Sequence, residues 1–420
     1  WRYFVTDRVV APKHRDLVML ARVTREFLQK EFQNLPKDSG VRTFLATSNT
    51  FGWEVKKKLV WLGRHSYLFR DLFAAYMLEQ ESDPSDIPST DDFLCQQCTD
   101  WMGLGAIDIL ASALDLSAVQ RTELRDWYER HTAFYHIVSL EMTGRRTDAL
   151  NAVNVINNQP YRIRIEMEDA PFRVGQLIFG SLTPWRGEWY WSGQQQAYSE
   201  SKPGMIEDIR KQFLERQSSI AYRYCAELAE KARFSVQQQQ AKWMAHYGQD
   251  LVVFPDGLSL AAAEQRRLKA EFSAGDSAKV AESMKSHGLN NPWPRMHFPE
   301  DFLERKDGIG AFFNPAEGVE YMLGFNPLLT AMEKRGAGLL EEEMEVIYAF
   351  IQSAAISPAF VRRVVKDHGA ASIGRAFVIE GFQETTDLEF LLRRFKGQYF
   401  RKRYPAISFV YDPAISTGGK

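Results

Sequence analysis

At about 100–200 residues per domain, the 420 residues of this chain predict between two and four domains, or one large domain with insertions. Its 52 basic and 54 acidic residues give a formal net charge of −2, which argues against a nucleic-acid coat protein or a polycation that binds membrane surfaces. The 3 cysteines do not form an even-numbered disulfide framework, and no run of about 18 apolar residues predicts a membrane helix. We therefore expect a cytoplasmic protein without a membrane partner.

The first 80 residues are predicted to be helical and basic, with 14 Lys and Arg against 8 Asp and Glu. Their apolar side chains recur every three or four positions, and the stretch from about 53 to 79 predicts one helix. The next segment, 81–92, contains two prolines and five carboxylates, which are unfavourable in a helix interior and in a packed strand. It predicts an acidic loop, after which helices resume near Phe93 and continue to about Thr143, most regularly over 121–140.

The apolar period changes at about residue 151, from the spacing of a helix to that of a strand. In Tyr161–Ile165 the tyrosine and the isoleucines alternate with Arg162 and Arg164, as a half-buried strand requires. Further short alternating runs follow as far as Gly193, separated by turn residues. Four or five short strands within about 50 residues are typical of a small antiparallel sheet or barrel.

Pro203 and Gly204 mark a return to helix, which begins with one predicted helix of about 40 residues. A strand is predicted at 251–254 and a β-hairpin at 309–322. Further helices are predicted at about 327–335, 339–353, 358–368 and 386–400, followed by a strand at 406–411.

These patterns predict an α+β protein that is predominantly helical, with a small antiparallel β-barrel-like module in the middle of the chain. Three domains are expected. They are an N-terminal helical domain (1–150), the β-module (151–200) and a C-terminal helical domain with minor strands (201–420).

The candidate metal ligands do not form a recognised pattern. Cys95 and Cys98 have the spacing of half a structural zinc site, but no second pair follows them. His131 and His136 are five residues apart, whereas two imidazoles on one helix face need a spacing of three or four. We find no nucleotide-binding glycine loop and no nucleophile motif with its partner motifs. The sequence therefore predicts no metal, no cofactor and no catalytic residue.

Two groups of basic and aromatic residues are the candidate binding residues. Residues 393–404 contain six cations and four aromatic side chains. Arg394, Lys396, Tyr399, Arg401, Lys402 and Arg403 are the candidates in this segment, and Arg162, Arg164, Trp185 and Trp189 are those in the β-module. Such mixtures bind phosphates and stack bases, but they also occur as solvated faces and in protein interfaces.

The leading hypothesis is a non-catalytic adaptor or regulatory subunit that binds one or more proteins, for instance in a bacterial regulatory or defence complex. It rests on the missing catalytic motifs, on the surfaces rich in arginine and aromatic residues, and on a charge-polarised chain. The first 80 residues are basic, whereas residues 299–345 contain 11 Asp and Glu against 4 Lys and Arg. One alternative is a nucleic-acid-binding protein that uses the β-module and residues 393–404. Another is an unrecognised hydrolase or metalloenzyme whose pocket joins His131, His136, Cys95, Cys98 or Glu141. The identity of the partner, the pathway and the oligomeric state stay open.

Overall fold

The computed structural model describes residues 47–404, apart from 67, 84, 97–104, 199–203, 217, 274–297 and 380, and in addition residues 22, 23, 26 and 30. The chain divides into two compact units, and the second lies within the sequence of the first. Unit 1 comprises Trp1–Ala232 and Gly397–Lys420, and unit 2 comprises Arg233–Lys396. The domain boundaries predicted at residues 150 and 200 both fall inside unit 1.

Helices precede the sheet of unit 1. In the described residues they are α1 (Gly52–His65), α2 (Arg70–Glu79), α3 (Ile87–Gln96), α4 (Ala106–Ala113) and α5 (Ala118–Asp126). Val55 and Leu59 of α1 and Phe73 and Met77 of α2 are buried in one apolar core. The single helix predicted over 53–79 is therefore two helices, because the chain turns after α1 so that both apolar stripes face that core.

The acidic segment 81–92 is not wholly a loop, because its second half lies in α3. Asp86 accepts a hydrogen bond from the backbone N–H of Ser89 at 2.9 Å and so caps this helix. Pro88 lies in the first turn, where a missing N–H leaves no helical partner unsatisfied. The loop prediction was wrong from Ile87 onward, since proline and carboxylates disfavour a helix interior but favour a helix start.

Within the described residues, six strands form the sheet of unit 1: β1 (Thr132–Thr143), β2 (Arg146–Asn154), β3 (Pro160–Glu168), β4 (Leu177–Trp185), β5 (Glu188–Trp191) and β6 (Gln196–Tyr198). Their order is β1-β2-β3-β5-β4-β6, and β1 pairs in addition with β4. All pairings are antiparallel except that of β3 with β5, where Ile163 lies opposite Trp189. The chain is therefore a mixed α/β protein, with its larger sheet in the middle of the sequence as predicted.

The sheet begins earlier than the sequence pattern indicated. The helix predicted over 121–140 ends at Asp126, and β1 starts at Thr132. Buried Ala133, Tyr135 and Ile137 alternate with more exposed neighbours, which is the period of a strand. Apolar residues in this stretch fit both the helical and the strand spacing, and pairing with β2 and β4 decides in favour of the strand.

Helices α6 (Met205–Arg216) and α7 (Ala226–Tyr247) replace the single helix predicted after Gly204. Unit 2 continues with β7 (Leu251–Phe254), α8 (Gly257–Ser273), α9 (Glu300–Leu303), β8 (Ile309–Asn314), β9 (Gly318–Leu323), α10 (Phe325–Glu333), α11 (Glu341–Gln352), α12 (Pro358–His368), α13 (Ala371–Ala376) and α14 (Glu389–Phe395). The three strands form an antiparallel sheet in the order β7-β8-β9, so the predicted strand and hairpin are confirmed.

The helices predicted between 327 and 368 also occur, within two residues of their predicted ends. The strand predicted at 406–411 lies outside the described residues. Within the described part of the chain, no helix combines the length and the apolar character that crossing a membrane requires.

Candidate functional site

Arg162 and Arg164 of β3 lie in a network of carboxylates at the surface of the sheet. Arg162 donates from Nη2 to Glu141 Oε2 at 2.7 Å and from Nη1 to Glu188 Oε1 at 2.7 Å. Arg164 donates to the same oxygen of Glu188 at 2.9 Å and from Nε to Glu166 Oε1 at 2.7 Å. Strands β1, β3 and β5 thus bring charged side chains that are distant in sequence to one surface.

The network contains ions of both signs. Arg146 of β2 extends it, with Nε 2.9 Å from Asp148 Oδ1 and Nη2 3.3 Å from Glu166 Oε1. We call the seven side chains the Arg–Glu network: Arg146, Arg162, Arg164, Glu141, Asp148, Glu166 and Glu188. Its three arginines and four carboxylates sum to a charge of −1. The hydrogen bonds from Arg162 lower the pKa of Glu141, so this carboxylate stays ionised and paired.

The two tryptophans predicted to bind a ligand are packed inside unit 1. Trp185 is fully buried, and its Nε1 donates to the carbonyl oxygen of Asn49 at 3.0 Å. Trp189 is half-buried, with its ring centroid 4.8 Å from that of Tyr161 and 4.5 Å from that of Tyr224. Local sequence does not separate the buried from the half-buried tryptophan, because each has one charged neighbour, Arg186 or Glu188.

Replacing Trp185 with Phe is expected to lower the free energy of unfolding by about 1–3 kcal/mol, because the carbonyl of Asn49 then loses its donor. Urea denaturation measures this change. An unchanged free energy of unfolding in this variant would contradict the packing role of Trp185.

The predicted basic segment 393–404 is divided between the two units. Arg394 lies in α14 of unit 2, with its guanidinium carbon 4.9 Å from the ring centroid of Phe395. Lys396, the last residue of unit 2, is fully buried and donates from Nζ to the carbonyl oxygen of Ser353 at 2.5 Å. Burial lowers the pKa of Lys396 to about 7. Its prediction as a surface binding residue was wrong, since packing within unit 2 encloses it.

The end of the segment lies against unit 1. Lys402 Nζ is 2.5 Å from Glu129 Oε1, and the hydroxyl of Tyr404 donates to Glu129 as well. Glu129 is only 3% exposed, whereas half of the Lys402 side chain remains exposed. The carboxylate is therefore held by two groups of the C-terminal segment.

The remaining candidate residues of this segment, Arg401, Arg403 and Tyr399, take part in contacts between a guanidinium and an aromatic ring. The Arg401 guanidinium carbon lies 3.6 Å from the ring centroid of Tyr128, and that of Arg403 lies 4.1 Å from the ring centroid of Tyr399. These are cation–π distances. Arg401, Arg403 and Tyr399 thus contribute to contacts within unit 1, although Arg403 itself is exposed.

The candidate metal ligands that the structure describes are Cys95, His131, His136 and Glu141. Among the described residues, no group of three or more His, Cys, Asp or Glu side chains is arranged to hold a metal ion. His131 is buried, its Nδ1 lies 3.0 Å from the carbonyl oxygen of Glu129, and burial lowers its pKa to about 3. Cys95 is a buried free thiol whose pKa burial raises, and Cys98 lies outside the described residues.

A buried ionic cluster that the sequence did not indicate joins the helices to the sheet. Asp91 of α3 has a side chain only 1% exposed, with its Oδ2 3.4 Å from Arg130 Nη2. Ser192 Oγ donates to the same oxygen at 3.1 Å, and Lys56 of α1 pairs with the other carboxylate oxygen. Asp91 belongs to the acidic segment, where several carboxylates in sequence gave no signal that one of them is buried.

Comparisons with protein-family models, with curated proteins and with solved structures find no match to this chain.

Proposed function

We propose that the chain is a non-catalytic adaptor or regulatory subunit, and that it binds another protein through the Arg–Glu network and its surroundings. The observation that carries this proposal is the pairing of every arginine of the network with a carboxylate. A surface of alternating charge suits a protein partner, because complementary ion pairs set the orientation of two proteins and raise their association rate. Arginine is also among the residue types that are enriched at protein interfaces.

Exposed apolar side chains near the network support the same proposal. Met142 of β1 and Met167 of β3 are 52% and 48% exposed, and both lie opposite Thr147 of β2. Val138 is 53% exposed on the same strand as Met142. Methionine and arginine together are typical of interfaces, where apolar contacts supply affinity and charged groups supply specificity.

We also infer that the sheet of unit 1 curls into a barrel-like module. The pairing of β1 with both β2 and β4, together with the contact of β3 with β5, supports this inference. One class of small five-stranded barrel binds oligonucleotides on the face of its second and third strands, which makes nucleic-acid binding the second candidate function. The charge of −1 of the Arg–Glu network weighs against it, since a phosphate chain is attracted by an excess of positive charge.

The double replacement R162E/R164E tests the adaptor proposal. Affinity capture from a nuclease-treated lysate of the native organism is expected to yield a stoichiometric protein partner with the wild-type chain. The charge reversal should reduce the yield at least about tenfold, because like charges then face the partner. R305E is the matched control, since Arg305 pairs with Asp307 at 43% and 38% side-chain exposure, close to the 43% and 39% of Arg162 and Glu141.

Equal yields for the wild type, R162E/R164E and R305E would contradict the proposed docking face. Titration of a labelled single-stranded oligonucleotide with the protein tests the second candidate function, nucleic-acid binding. Binding that weakens steeply with salt and is lost in R162E/R164E would support nucleic-acid binding. Negligible binding at low salt would reject it.

A further inference from the structure

The C-terminal segment of unit 1 makes several side-chain contacts with residues much earlier in the chain. Residues 401–404, which we call the strap, return to unit 1 after the whole of unit 2 has been inserted in the sequence. Lys402 and Tyr404 of the strap both bind the carboxylate of Glu129, which is 3% exposed. A carboxylate so deeply buried destabilises the folded state unless it is paired. By pairing with Glu129, the strap therefore stabilises the fold of unit 1.

Two tyrosines complete the surface on which the strap lies. Tyr128 lies 3.6 Å from the Arg401 guanidinium carbon, measured to the ring centroid. Fully buried Tyr222 stacks on Tyr404 at a centroid distance of 5.8 Å and an interplanar angle of 20°. Tyr404 also packs on an apolar cluster that contains Tyr222 and Ala232. We call Tyr128, Glu129 and Tyr222 the strap site.

The strap site contacts three side chains of the bound segment, at its first, second and fourth positions. The first position supplies a cation to the ring of Tyr128, the second a cation to Glu129, and the fourth a tyrosine to Tyr222 and Glu129. The third position, Arg403, is exposed and contacts Tyr399 instead. These requirements are met by side chains rather than by strand pairing, so a separate peptide of the same chemistry satisfies them equally well.

We propose that the strap site is a peptide-recognition site for basic segments that end in tyrosine, and that the chain occupies it with its own residues 401–404. A partner protein with such a segment binds when the strap is displaced. Because the strap is tethered, its effective concentration is high, and it keeps a free peptide out of the wild-type site. This surface is distinct from the Arg–Glu network and does not depend on the function proposed for that network.

A labelled peptide with the sequence of residues 397–404 tests the proposal on the full-length chain by fluorescence anisotropy. The variant K402A/Y404A, whose own strap is weakened, should bind the peptide at least about tenfold more tightly than the wild type, in which only a small fraction of sites is open. R403A removes the neighbouring exposed cation, whose guanidinium carbon lies 4.1 Å from the ring centroid of Tyr399, and it should bind the peptide as weakly as the wild type. Adding E129Q to K402A/Y404A should abolish the gain.

A second measurement uses the wild-type chain and does not depend on the folding of a variant. Excess peptide should increase hydrogen exchange of residues 397–404, because the added peptide displaces the strap. A peptide with the K402E change should leave the exchange unaltered. Unchanged exchange with the native-sequence peptide, or equal affinity of the peptide for K402A/Y404A with and without E129Q, would overturn the proposal.

Discussion

Replacement of Asp91 with alanine is expected to lower the free energy of unfolding by about 3–5 kcal/mol, the cost of breaking a buried ion pair. Asp91 is 1% exposed and compensates two cations, since Lys56 and Arg130 both pair with its carboxylate. The side chain of Arg130 is itself only 5% exposed, so it has little access to water when the carboxylate is removed. In D91A, Lys56, whose side chain is 15% exposed, loses its carboxylate, and Arg130 loses a buried carboxylate but keeps Asp92. The hydration that these cations gave up on burial is then less well compensated, which destabilises the folded state.

The next residue, Asp92, provides the matched control. Its side chain is 53% exposed, although it also pairs with Arg130, at 2.9 Å. D92A should therefore change the free energy of unfolding by less than about 1 kcal/mol, because half of the Asp92 side chain is in water and Arg130 keeps its buried partner Asp91. Urea denaturation of D91A, D92A and the wild type measures both values. A loss of stability in D91A as small as that in D92A would show that the buried cluster does not stabilise the fold.

Lys396 is expected to make the stability of the chain rise with pH above neutrality. Its side chain is fully buried, and burial lowers its pKa from 10.5, the value of an exposed lysine, to about 7. Glu320 opposes this shift, but both of its oxygens already accept other hydrogen bonds, from Asn314 at 2.6 Å and from the backbone N–H of Ser357 at 2.9 Å. Between pH 7 and 10.5 the unfolded chain therefore binds a proton that the folded chain does not hold.

Because unfolding takes up this proton, raising the pH in that window favours the folded state. The unfolding free energy of the wild type minus that of K396M should increase with pH, with a slope approaching about 1.4 kcal/mol per pH unit. Below pH 7 both states of the wild type are protonated, and the difference should be flat. K366M, which removes an exposed lysine of the same unit, is the control. The pH dependence of its unfolding free energy should match that of the wild type.

Urea denaturation at a series of pH values gives these curves. A constant difference between the wild type and K396M from pH 7 to pH 10 would mean that Lys396 is protonated in the folded chain and that its contact with the carbonyl of Ser353 compensates its burial.

Local sequence patterns were sufficient to predict an element where its apolar residues fit only one period and turn or capping residues mark its ends. The strand at 251–254, the hairpin after it and the helix that begins at Pro358 match their predictions, since alternation, turn residues and an N-terminal cap all lie within a few residues. Where a stretch fits both periods, as at 121–140, local pattern does not decide. There the hydrogen bonds of β1 to β2 and β4 form a strand from residues that also have helical spacing.

At the candidate binding residues, even less could be predicted from local sequence alone. Composition and spacing determined that arginines alternate on β3, that the C-terminal segment is basic and aromatic, and that no metal or nucleotide motif is present in the sequence. Only the tertiary structure decided that Arg162 and Arg164 face carboxylates, that Lys396 and Asp91 are buried, and that Lys402 binds Glu129, 273 positions earlier in the numbering. The physical reason is that a charge depends on its surroundings for both its solvation and its partner, and those surroundings come from segments that are distant in the sequence.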